Sequence, residues 1–256
     1  MAKIPQVQSI NRAMDILELL SREEMLGITQ IAQVVGLDKT TVFRIIQTLC
    51  ARGYVRQDPS TQMYSNTLKL FEMGTRIVDG HRILGKARPH VEALAMSTRE
   101  TVNLAVKDGG NIVYVDKIES TELIKADLGI GKSFPAYATS LGKSILALLG
   151  ESELERLFEK EVFEVFTPNT VKDLDELKGQ LKEILVQGYA SDDEELVKGL
   201  SCVAAAIRNF NGKPVAAISI AFPTYRFSPG SPERLRMAEL VQMAARSISI
   251  ELGFKG

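Results

Sequence analysis

The sequence is poor in the residues and runs on which enzymes, secreted domains and membrane proteins depend. Two cysteines, Cys50 and Cys202, occur in 256 residues, too few for a disulfide framework or a multi-cysteine metal site. The two histidines, His81 and His90, have neither the i,i+4 spacing nor the cysteine partners of a zinc site. No Ser-His-Asp order or carboxylate pair can be proposed, so no catalytic residue, metal or other cofactor is expected. No apolar run approaches the roughly 20 residues that cross a bilayer, and the opening MAKIPQVQSI lacks the apolar centre of a signal peptide. A soluble cytoplasmic protein with no membrane contact is expected. An excess of one charge is missing too: 31 basic against 32 acidic residues leave a net charge of −1, which argues against indiscriminate coating of nucleic acid. GIGKS and LGKS resemble the end of a phosphate-binding loop, but that pattern needs glycine where Ala126 and Tyr137 stand.

What is present centres on Gly27–Tyr54. Ile28, Ile31, Ala32 and Val35 recur at helical spacing until Gly36 breaks the run. Asp38 is a good N-cap for a second run carrying Val42, Ile45, Ile46 and Leu49. Two short amphipathic helices around a glycine-bearing turn form a helix-turn-helix. The second helix leaves Lys39, Thr40, Thr41, Arg44 and Gln47 on its other face, groups of the kind that reach bases and phosphates in a major groove. A solvated face in an ordinary bundle is the plainer alternative; the agreement of turn, cap and exposed chemistry favours DNA.

Ser9–Leu20 supplies a broad apolar stripe to support the pair from behind. After Gly53, two short extended runs around Asp58-Pro59-Ser60 predict a hairpin, or wing, carrying Arg56. That arginine either touches phosphate or is merely exposed. Thr67–Val78 reads as a further helix, and Asp79-Gly80-His81 as the boundary between domains. The expected division is a DNA-binding domain over 1–66, a linker helix over 67–82 and a second domain over 83–256.

In the second domain Ile83–Ser97 is helical, and then the rhythm changes. Thr101–Lys107 and Asn111–Ile118 flank Asp108-Gly109-Gly110, a hairpin turn. Leu123–Leu128 reads as a third strand. Helices follow at Ser140–Leu149, Ser152–Phe158 and Asp173–Gln187, then a hairpin of Ser201–Arg208 with Val215–Phe222, and a long final helix capped by Ser231. Helices interspersed with antiparallel hairpins make the fold class α+β. Alternation along the last hairpin puts Cys202, Ala204 and Ala206 on one face of the first strand. In the second strand Ala217, Ser219 and Ala221 oppose larger apolar residues. The small face leaves room either for a close-packed helix or for a ligand. YATSLGK, ahead of the Ser140 helix, offers free N–H groups and the Thr139 and Ser140 hydroxyls to a carboxylate; a simple Ser/Thr cap explains the same residues. Asp192–Glu195 reads as a solvated acidic run, one carboxylate of which is able to accept from ligand hydroxyls.

Taken together, SINRAMDIL, GITQIAQVVGLDKTTVFRIIQTL with GYV, TLKLFEMG, PAYATSLGK, GYASDDEELVKGLSCVAA and AAISIAFPTYRFS resemble the IclR-type bacterial transcriptional regulators over nearly the whole chain. TLKLFEMG, ETVNLAVKDGGNIVYVDKIES and AISIAFPTYRFS point within that family to the KdgR-like regulators of pectin and hexuronate catabolism. The resemblance implies a winged helix-turn-helix joined to a GAF-like effector domain. It also implies a homodimer or dimer of dimers on a pseudo-palindromic operator, controlled by a small acid, here 2-keto-3-deoxygluconate. Effector contacts carried over by position are Thr139, Ser140, Leu141, Asp192, Cys202 and Ser219. The expected function is a ligand-responsive repressor and not an enzyme. Alternatives are an effector such as glyoxylate or an aromatic acid, an activator, and remotely a GAF-like reductase of methionine sulfoxide. The last needs a resolving cysteine, and Cys50 lies on the proposed recognition helix.

Overall fold

A computed structural model describes residues 6–79, 83–120 and 128–256. The chain divides into two compact units, residues 1–80 and 81–256. The first contains α1 (Gln8–Arg22), α2 (Ile28–Val35), α3 (Lys39–Ala51), β1 (Val55–Gln57), β2 (Tyr64–Asn66) and α4 (Lys69–Asp79). α2 stops because Gly36 turns left-handed at φ +66°, a conformation a side chain would strain. Ile16 and Leu20 of α1, Ile31 of α2, and Val42 and Ile46 of α3 share one core with Val55 and Tyr64. The α1 stripe is wider than the face its neighbours cover, so Ile10 and Met14 stay exposed. The hairpin turn is fastened by Asp58, whose carboxylate takes hydrogen bonds from the Ser60 hydroxyl at 2.6 Å and the Thr61 N–H at 2.8 Å. Those bonds pull its pKa down to about 2. Leu26 exchanges both backbone hydrogen bonds with Tyr64, tying the wing to the segment between α1 and α2. The unit is a winged helix-turn-helix.

The second unit runs α5 (Ile83–Thr98), β3 (Thr101–Asp108), β4 (Asn111–Ile118), β5 (Ser133–Pro135), a 3₁₀ turn at Ala136–Ala138, α6 (Ser140–Leu146), α7 (Glu151–Phe158), α8 (Leu174–Gln187), β6 (Ala190–Asp193), β7 (Leu200–Arg208), β8 (Pro214–Pro223) and α9 (Pro232–Glu251). Its strands form one antiparallel sheet in the order β5-β4-β3-β8-β7-β6. The strand expected over Leu123–Leu128 lies, apart from buried Leu128, outside the described residues. β5 and β6 were not foreseen. Both are edge strands of three or four residues, too short for an alternation signal, and their partners β4 and β7 define them.

The register sets Cys202 opposite Ala221, Ala204 opposite Ser219 and Ala206 opposite Ala217. The small residues of β7 and β8 therefore share one face, as their alternation predicts. α6 packs on this face with α8 against α6, while α5 and α9 cover the larger residues of the other. α6 also lies close against the preceding 3₁₀ turn: a Cβ on Gly142 would stand 2.2 Å from the Ala136 carbonyl oxygen. Packing of α6 on β7 and β8 accounts for part of the small face. Polar groups buried beside the start of that helix need another account.

Candidate recognition helix and ligand site

α3 is presented by its cap and its buried stripe. Asp38 accepts from the Thr41 N–H at 2.8 Å and from the Thr41 hydroxyl at 2.7 Å, which lowers the carboxyl pKa. Val42, Ile46 and Leu49 are buried, leaving Lys39, Thr40, Phe43, Arg44 and Gln47 exposed. Thr41 is half-buried and its proton is committed to the cap, so of the expected contacts it has the least left to offer a base. Arg56 is exposed on β1 and its Nε lies 3.3 Å from Ser65 Oγ on β2. A groove lined by Ser9, Arg12, Thr41, Arg44, Ile45 and Thr48 brings α1 alongside the exposed face of α3. Arg12 was missed by sequence reasoning because it belongs to the supporting helix. Replacing Asp38 with Ala is expected to free the first turn of α3. Hydrogen exchange should show the Thr41 amide opening roughly fivefold to tenfold more readily.

In the second unit the six residues expected to touch an effector are all buried: Thr139, Ser140, Leu141, Asp192, Cys202 and Ser219. Asp192 stands opposite Cys202 on β6, and Cys202 opposite Ala221, in one row across the sheet. Ser219 lies in the next row, between Ala204 and Asn103. Thr139 caps α6, accepting from the Gly142 N–H at 3.0 Å, so the plain capping role read from the sequence is real for this residue. The Ser140 side chain lies near enough to the Cys202 thiol to temper the rise in its pKa. Tyr114 of β4, also buried, lies near enough to Cys202 and Asp192 for their charges to push its phenol up further, beyond the effect of burial.

The acidic run departs from expectation: Asp192 and Glu195 are buried. β6 pairs with β7, which turns Asp192 onto the small face. Lys143 of α6, itself 1 % exposed, holds Glu195 Oε1 at 2.5 Å and Gln180 Oε1 at 2.9 Å. Asp192 accepts from the Glu195 N–H at 2.8 Å. Burial, then the neighbouring Glu195, raises the Asp192 pKa to about 7 against the pull of Lys143. Its folded pKa stands above the unfolded one. The native state therefore binds more protons between about pH 4 and pH 7, and stability is lost as pH rises through that window. Replacing Asp192 with Asn should flatten that fall in urea unfolding from pH 5 to 8, removing at most about 1.4 kcal/mol per pH unit. An unchanged slope would remove Asp192 as its source.

Residues 9–59 match the IclR helix-turn-helix domain and residues 75–250 the C-terminal domain of bacterial IclR transcriptional regulators. The chain belongs to the IclR family. Among curated IclR-type relatives, the HTH-type transcriptional regulator KdgR of Escherichia coli K12 is 35% identical over 249 residues, covering 97% of this chain and 94% of that one. XynR of the same strain is 35% identical over 252 residues, covering 98% and 99%. The crystal structure of the Thermotoga maritima IclR superposes with a TM-score of 0.83 at 29% identity, over 97% of this chain and 100% of that one. This IclR protein is accordingly a DNA-binding transcriptional regulator, not an enzyme, and its likeness to KdgR extends over nearly its full length.

Burial and then Asp192 raise the Cys202 thiol pKa well above the ordinary value, which disfavours the thiolate a nucleophile needs. The reductase alternative is left without chemistry. Among the described residues, no helix is long and apolar enough to cross a membrane.

Proposed function

We propose that this IclR regulator is a cytoplasmic repressor that releases or alters its grip on a pseudo-palindromic operator when a sugar-derived carboxylate binds its second unit. The observation that carries the ligand half is the polar set beside the start of α6. Ser140, Asp192, Cys202 and Ser219 are buried together with residues too small to fill a core, in a place where an ordinary core would be apolar. The ligand carboxylate meets the N–H groups and hydroxyls of Thr139–Leu141, and its hydroxyls meet Asp192 and Ser219. Small walls with several hydrogen-bonding groups suit an aliphatic hydroxy acid such as 2-keto-3-deoxygluconate better than an aromatic ring. On the DNA side Lys39, Thr40, Arg44 and Gln47 read the groove, Thr41 contributes from its cap, and Arg56 meets phosphate from the wing.

Assembly as a homodimer or dimer of dimers fits the operator symmetry. α4 supports it, since Leu68 just before the helix and Phe71 and Ile77 on it are more than two-thirds exposed. In this reading residues 1–66 bind DNA, 67–82 link and 83–256 sense. Ligand needs to favour one state by only a few kcal/mol to switch the DNA-competent population. Calorimetric titration with a panel of 2-oxo sugar acids, repeated on DNA-bound protein, tests the reading. Saturable binding that weakens when operator is present supports it. No binding of 2-keto-3-deoxygluconate at millimolar concentration ends the sugar-acid assignment.

A further inference from the structure

One buried polar side chain on the small-residue face has no role in anything described above. Asn103 of β3 is 2 % exposed and stands opposite Ser219 on one side and Lys117 on the other. Its Nδ2 reaches Ser219 Oγ only at 3.5 Å, the outer limit of a hydrogen bond. Its Oδ1 has no hydrogen-bond partner among the described residues. A carboxamide brings two N–H donors and a two-lone-pair acceptor into the interior, and this one satisfies at most one of them. The residues around it in β3 are Val102, Leu104, Ala105 and Val106, as a strand built for packing would have. A stability role alone would be served better by another such residue.

We propose that Asn103 is a specificity-determining contact of the effector site, its carboxamide pairing with a hydroxyl of the bound acid. The site then selects a hydroxylated carboxylic acid over the same acid without hydroxyls. This rests on the reading that the face beside the start of α6 is the effector site. Ser219 joins the two: it belongs to that face and touches the Asn103 amide. A hydroxyl both donates and accepts, so it satisfies the free end of the amide whichever way the group is turned. A bare alkyl chain satisfies neither end. Sites built to hydrogen-bond a hydroxyl reject analogues that lack it, because their own buried groups are left unpaired.

The test is calorimetry on the full-length protein with two six-carbon acids, 2-keto-3-deoxygluconate and 2-oxohexanoate. Both carry the 2-oxo carboxylate; only the first carries hydroxyls. The wild-type protein should bind the hydroxylated acid at least tenfold more tightly. Asn103→Leu should weaken that acid by tenfold or more while changing 2-oxohexanoate by less than about twofold. Asn103→Val, smaller and favourable in a strand, is read in the same way should the leucine variant not fold. Equal losses for both acids in the folded variant, or no loss for either, overturn the role of Asn103 and leave the effector site standing. Failure of the wild-type protein to bind either acid removes the effector reading, and this proposal with it.

Discussion

Replacing Arg44 with Ala is expected to weaken binding to a specific duplex by roughly tenfold to a hundredfold, while ligand affinity stays within about twofold. The guanidinium is exposed on α3, with Thr40 one turn before it and Gln47 three residues beyond. A fork of donors at the centre of such a face is the residue type that pairs bidentately with guanine. The groove shared with Ser9 and Arg12 places further polar groups beside it. Arg44→Lys keeps the charge and loses the fork, so it should recover non-specific binding but little of the sequence preference. Fluorescence anisotropy against specific and scrambled duplexes separates the two effects. Because the residues of the proposed ligand site all belong to the other compact unit, a parallel loss of ligand affinity would contradict the division of labour.

Lys143→Met should cost about 3–5 kcal/mol of stability, a large share of what a domain has to lose. Lys143 is the ammonium that Glu195 Oε1 meets at 2.5 Å, deep beside Asp192. Removing it leaves the buried carboxyl groups of Asp192 and Glu195, which already raise one another's cost, without that cation. Both already have raised pKa values through burial. The loss should therefore grow from pH 5.5 to pH 8, since protonation relieves the repulsion and rising pH restores it. A double change, Lys143→Met with Glu195→Leu, should restore most of the deficit, since a buried ion pair is often replaceable by apolar groups of similar size. Urea unfolding of the three proteins measures this. A single variant within about 1 kcal/mol of wild type would show that the pair is solvated in solution.

The contrast between these two sites shows what the sequence discloses. α3 was legible because its signals are local: Gly36, the Asp38 cap and the period of Val42, Ile46 and Leu49 fall within one short stretch. The hairpins around Gly109 and Asn209–Lys213 were legible for the same reason, and so were the opposite faces of β7 and β8. The burial of Asp192 and Glu195 was not, because the lysine that makes it tolerable lies 52 residues away from Glu195 on another element. A run of four acids reads as solvated until β6 is known to pair with β7 and to turn alternate residues inward. Asn103 was hidden likewise. It is one polar residue in an apolar strand, and its significance depends on Ser219, 116 residues later. Arg12 was overlooked because the periodicity of α1 marks its buried side and says nothing about what its other side stands next to.

The central claim is that ligand binding in the second unit changes DNA affinity in the first. It is tested most directly by anisotropy titrations of a labelled duplex, selected by the protein itself from random DNA, with and without saturating 2-keto-3-deoxygluconate. The account predicts that the ligand shifts the DNA-binding midpoint by at least about tenfold, and that replacing Ser140 with Val abolishes the shift while leaving ligand-free DNA binding intact. A ligand that binds the protein yet leaves the midpoint unmoved would contradict it.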